Sequence, residues 1–154
     1  MASAFERVPG AVVEDGILMH VGNPLVEQRR LVRGEAVAPL ENRSVVSVAG
    51  PDRLAWLDSI TSQAVAGLAP GESSELLILD PNGHIEHAAG IVDDGETAWL
   101  LADTADAEPL VAWLTKMRFR MRVEIRLVDE VSVIGAVSPD AAGLTPFAPA
   151  GVPL

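Results

Sequence analysis

The sequence contains no cysteine. That excludes a disulfide framework and any thiolate site for zinc or an iron–sulfur cluster in this chain, and it is compatible with a reducing compartment. Basic residues are few, 11 against 22 acidic, giving a formal net charge of −11. This balance argues against broad contact with nucleic acid, where affinity comes from neutralising phosphates. No stretch approaches the ~20 apolar residues needed to span a bilayer. Residues 1–12 carry Glu6 and Arg7 instead of the long apolar run of a signal peptide. The expectation is a cytoplasmic protein without membrane contact. Also missing are a Ser-His-Asp pattern, a phosphate-cradling glycine loop and a dinucleotide fingerprint, since Gly50 is a single glycine at a strand–helix turn.

What is present is apolar. Hydrophobic residues make up 49% of the 154, enough for one domain of ordinary size with a real core. The organising stretch is Arg43 to Val65. Ser44 to Val48 alternates with period two, as in a half-buried strand, and Gly50-Pro51-Asp52 then starts a helix. Leu54, Leu57, Thr61, Ala64 and Leu68 give that helix an apolar stripe, widened by Trp56 and Ile60. Upstream, Val12 to Val21 reads as one short strand, followed by a helix from Asn23-Pro24 to Arg33 with Gly34 as its stop.

Downstream, Glu75 to Leu79, His84 to Val92 and Thr97 to Ala102 are strands joined by Asp80-Pro81-Asn82-Gly83 and Asp93-Asp94-Gly95. Asn-Gly is a strong hairpin signal because both residues tolerate positive φ. Ala105 to Met117 is a second helix with Leu110, Val111, Leu114 and Met117 on one face. Met117 to Val128 then reads as a strand with apolar and charged faces, and Val131 to Val137 as a final one. The fold class is therefore α+β, a mainly antiparallel sheet with two helices on one face. Residues 1–40 form a preface, 41–137 the domain and 138–154 a Pro/Gly-rich linker.

Three clusters carry candidate chemistry. His84, Glu86 and His87 invite a metal, but on a strand His87 faces away from the other two, so no metal site is expected. Asp93-Asp94 belongs to a glycine turn and Asp103 precedes a helix as its cap, which makes acid–base catalysis by these groups a poor reading. The basic run is more informative. Lys116, Arg118, Arg120, Arg122 and Arg126 are five of the 11 basic residues, and three arginines two apart form a ladder suited to carboxylates or phosphates. The plain alternative is a solvent-facing strand paired with acidic neighbours such as Glu124 and Glu86.

Taken in order, several segments resemble the N-terminal half of a YgfZ-type folate-binding protein of an actinobacterial-like branch, a family related to the glycine cleavage T-protein, an aminomethyltransferase. They are Arg43–Val48 with Gly50-Pro51-Asp52, Trp56-Leu57, Ser62–Val65, Leu79–Ile85, Trp99–Leu101, Leu114–Arg120 and Val123–Ile125. The preface His20–Leu25 with Glu27-Gln28-Arg29 adds to the likeness, which spans about residues 20–137. The resemblance implies a tetrahydrofolate-binding scaffold that assists iron–sulfur cluster assembly or repair and the tRNA modification depending on it. Its implied partners are a reduced folate and an iron–sulfur assembly protein. By spacing from Gly83, the T-protein's folate-contacting Asp-Asp pair falls on His87 and Ala88, and its folate-contacting Asn falls on Asp103. With Arg118, Arg120 and Arg122 drawing the glutamate tail, these are the expected folate-binding residues; no residue is expected to be catalytic.

The family's Lys-Gly-Cys-Tyr-x-Gly-Gln-Glu motif does not occur before Leu154. The chain is therefore expected to be a fragment with a half-built site and an apolar seam that a second copy covers, as a homodimer. Two rival functions remain: a folate-dependent aminomethyltransferase or demethylase, and a protein-interaction module without a ligand.

Overall fold

The computed structural model describes residues 5–137, so the Pro/Gly-rich stretch from Ser138 lies outside them. These residues fall into two compact units, 5–42 with 132–137 and 43–131.

In the first unit, β1 (Ala11–Glu14) and β2 (Ile17–Val21) pair antiparallel. The single strand expected over this stretch is thus a hairpin. Asp15 (φ 51°) and Gly16 (φ 79°) both turn through the left-handed region, the Asp-Gly chemistry of a two-residue turn whose twist matches the strands. Helix α1 (Pro24–Val32) starts as its sequence dictates, with Asn23 accepting from the Leu25 amide (3.0 Å). Glu27 accepts from the Val21 amide at 2.7 Å, fastening the helix to the hairpin. Gly34, at φ 70°, stops it. Two-residue strands β3 (Ala38–Pro39) and β9 (Ile134–Gly135) pair with each other. The expected final strand over 131–137 is therefore reduced to two residues outside the main sheet.

The second unit is a five-stranded, wholly antiparallel sheet. Its strands in chain order are β4 (Arg43–Ala49), β5 (Ser73–Leu79), β6 (Ile85–Asp93), β7 (Thr97–Asp103) and β8 (Glu124–Val128), arranged β5-β6-β7-β4-β8. Helix α2 (Arg53–Ile60) follows β4, and α3 (Thr104–Met117) follows β7. The register puts Val46 and Val48 of β4 opposite Leu100 and Ala98 of β7, and Ile91 of β6 opposite Leu100. All are buried on one face with Leu76 and Ile78, under Trp56 and Leu57 of α2 and Leu110 and Leu114 of α3. This is the expected α+β architecture, with α2 and α3 on one face.

Helix α2 ends sooner than its apolar stripe suggests. At its last turn Asp58 accepts from the amides of Val65 (2.8 Å) and Ala66 (3.0 Å), folding the chain back. Val65, expected near the end of the helix, is instead fully buried from a loop.

The β6–β7 turn is held by carboxylates. Asp94 accepts from the Glu96 amide (2.8 Å), the Thr97 amide (2.6 Å) and the Trp99 indole (2.8 Å). Burial pushes its carboxyl upward, but the bonds from Trp99, Thr97 and Glu96 and the nearby charge of Arg53 outweigh it and leave the group below its ordinary value.

Candidate functional site

Of the strand expected over 117–128, the structure forms the end that carries Arg126, and Arg118, Arg120 and Arg122 precede it. Helix α3 continues to Met117, Arg118 caps it in helical conformation, and Phe119 turns through the left-handed region at φ 47°. The Met121 amide then bonds to the Arg118 carbonyl (2.9 Å), closing a turn, and β8 begins only at Glu124. Arg118, Arg120 and Arg122 therefore lie in a turn and the connection after it, not on a ladder. A left-handed residue just past a helix end is usually glycine, because a Cβ there costs roughly 1–2 kcal/mol.

Two contacts pin this segment to the corner between β4 and α2. Gly50, at φ 122°, faces the backbone of Arg122 so closely that a Cβ would collide with the Arg122 carbonyl. Asp52 does not cap α2; its carboxylate instead accepts from the Arg122 amide (2.8 Å), Nε (2.9 Å) and Nη2 (2.6 Å). This fork-to-carboxylate pairing neutralises Arg122 and holds the Asp52 carboxyl below its ordinary 3.8.

The result is an open groove of about 470 Å³, walled by Ala49, Gly50 and residues 118–124. Phe119 stands 80% exposed at its rim. Arg118 and Arg120 are exposed and make no side-chain hydrogen bond or ion pair among the described residues. In a chain of net charge −11, these two guanidinium groups form a local patch of positive charge whose planar forks suit carboxylates or phosphates.

Stability should report the Asp52 pair. The folded carboxyl releases its proton more readily than the unfolded one, so the unfolded state binds more protons near pH 3.8. The pair's contribution is present above that pH and disappears as pH falls through the lowered value. Asp52→Asn is expected to flatten the acid limb of a melting-temperature-versus-pH curve; an unchanged acid limb would show that the pair contributes nothing measurable.

The remaining expected site residues lie elsewhere. Asp103 ion-pairs with Arg43 (3.0 Å), and its side chain accepts no capping hydrogen bond from α3. Arg43 and Ala49 are the two ends of β4, so Asp103 and the groove are separated by six residue steps, roughly 20 Å of strand. His87 is buried on the helix-covered face of β6. Its Nδ1 lies 2.8 Å from Asp106 of α3, and its ring meets the edge of Trp113 at 6.2 Å. The five residues expected to share one folate site thus separate, with Arg118, Arg120 and Arg122 together and His87 and Asp103 apart from them. The His87–Asp106 contact joins residues 19 apart in sequence and has no local signature.

His84 and His87, weighed above as metal ligands, have separate carboxylate partners. A bulge at Glu86 does interrupt the β5–β6 register, but His84 turns to Asp80 (3.1 Å) and His87 to Asp106. Among the described residues no group of three potential ligands converges, and no helix is long and apolar enough to cross a membrane.

No known family model and no curated protein matches the sequence. The fold does have a relative among solved structures: the glycine cleavage system aminomethyltransferase T from Bartonella henselae, at a TM-score of 0.64 and 19% identity. The match covers 81% of this chain and 36% of that one, so this chain spans about a third of that protein's length. At this identity the likeness establishes a T-protein-like fold.

Proposed function

We propose that this chain is a folate-binding scaffold whose groove receives the carboxylate end of a reduced folate. The observation that carries the reading is the pair of unneutralised guanidinium groups, Arg118 and Arg120, in an open groove on a T-protein-like fold. Guanidinium forks match carboxylates in shape and charge, and the groove volume lies within the ~300–1,000 Å³ usual for small-ligand sites. Arg122 serves as framework, because Asp52 already occupies it. Following the YgfZ-type resemblance, the scaffold acts in the cytoplasm with an iron–sulfur assembly protein as its partner and supports tRNA modification that depends on such clusters.

Likeness to an aminomethyltransferase favours a second reading, folate-dependent one-carbon transfer. Against it stand His87 and Ala88, where the T-protein family carries its folate-contacting carboxylates.

Tryptophan fluorescence tests the binding claim. The buried Trp56 donates its indole N–H to the Met117 carbonyl (3.2 Å), directly before Arg118, and so reports on the groove. Saturable quenching by 5-formyltetrahydrofolate that free glutamate does not reproduce is the expected result. Absence of any ligand-specific change would overturn the reading.

A further inference from the structure

We infer that Phe119 is a stacking platform for an aromatic carboxylate, the p-aminobenzoyl-glutamate half of a folate; this rests on the folate reading above. The residue is costly where it stands. Its backbone holds the left-handed conformation that glycine adopts without strain, and its ring, 80% exposed, returns almost no burial within the fold. A glycine would make the same turn and end α3 more comfortably. Strain retained without any packing return points to a contact outside the protein's own fold.

The neighbours define that contact. Arg118 and Arg120 flank the ring in sequence, both exposed and unneutralised, and all three line the same groove. One exposed ring with two free guanidinium groups matches a ligand carrying one aromatic ring and two carboxylates. p-Aminobenzoyl-glutamate has that composition, its benzoyl ring placed to stack on Phe119 while its α- and γ-carboxylates meet the arginines. An acidic peptide would satisfy the arginines but leave the ring's position without a use.

The test is calorimetric titration of the whole chain with p-aminobenzoyl-glutamate, which lacks the pterin, and with 5-formyltetrahydrofolate, on wild type, Phe119→Gly and Phe119→Tyr. Wild type and Phe119→Tyr are expected to bind both ligands. Phe119→Gly should weaken both at least tenfold while its melting temperature holds or rises, because relief of the left-handed strain stabilises the fold. A merely structural phenylalanine predicts the opposite, a lower melting temperature with unchanged affinity. If 5-formyltetrahydrofolate binds but p-aminobenzoyl-glutamate does not, or if Phe119→Gly binds both normally, the stacking inference fails and the folate reading stands. If neither ligand binds wild type, both fail. A hexaglutamate peptide binding as tightly as p-aminobenzoyl-glutamate would also overturn the inference, in favour of a site that reads charge alone.

Discussion

Arg53→Met is expected to lower the unfolding free energy by about 3–5 kcal/mol, the usual cost of stranding one member of a buried ion pair. The partner left behind is Asp93, 1% exposed at the end of β6. Arg53 grips it with both arms of its fork, Nε to Oδ1 at 2.7 Å and Nη2 to Oδ2 at 2.8 Å. Without the guanidinium, the Gly95 amide (2.9 Å) would be that carboxylate's one remaining donor among the described residues. The pair joins the first residue of α2 to the β6–β7 turn, so its loss would loosen the helix layer from the sheet. Urea denaturation followed by circular dichroism reads the effect. Arg53→Met combined with Asp93→Leu should recover part of the loss, since the buried charge then disappears with its partner. A single variant as stable as wild type would mean that water reaches Asp93.

Charge reversal at both Arg118 and Arg120, as Arg118→Glu/Arg120→Glu, should weaken 5-formyltetrahydrofolate binding by about tenfold to a hundredfold. Each hydrogen bond to a charged group contributes ~1.5–3 kcal/mol when well shielded, and tenfold in affinity corresponds to about 1.4 kcal/mol. Exposure lowers the figure, because solvent and salt screen charges that remain accessible. Neither side chain has a side-chain partner among the described residues, so the melting temperature should hardly move. Arg122 is a poor choice for this experiment, because reversing it would set two carboxylates against each other at Asp52. Unchanged affinity in the double variant would remove both arginines from the binding mechanism.

Most of the sheet was legible from short-range chemistry. Asn82-Gly83 and Asp94-Gly95 mark the turns of the β5–β6–β7 meander, and both glycines hold positive φ in the structure (85° and 102°). Helix α1 is announced by Asn23-Pro24 and ended by Gly34 for equally local reasons. The misreadings share a different cause. Arg118, Arg120 and Arg122 alternate with Phe119, Met121 and Val123 in the period of a strand, and the turn among them carries no glycine to betray it. What ends α3 is a strained phenylalanine, and propensity gives no warning of that. Helix α2 is cut short by Asp58 reaching amides seven and eight residues on, which its apolar stripe conceals.

The site suffered most, because its contacts are distant in sequence. Asp52 reads as a helix-start charge, yet its partner is Arg122, 70 residues away. Asp93 reads as a turn residue, yet it is the buried partner of Arg53, 40 residues back. Only packing of α3 and α2 on the sheet brings such pairs together. The basic composition of the 116–126 run is legible without any such packing, and it includes the three arginines that line the groove.

Amide chemical-shift mapping tests the central claim most directly, with the isotope-labelled chain titrated with 5-formyltetrahydrofolate. The account predicts saturable shifts concentrated at residues 49–52 and 118–124, the walls of the groove. Saturable shifts centred instead on His87, Asp103 and Asp106, or no saturable shift at any residue, would contradict it.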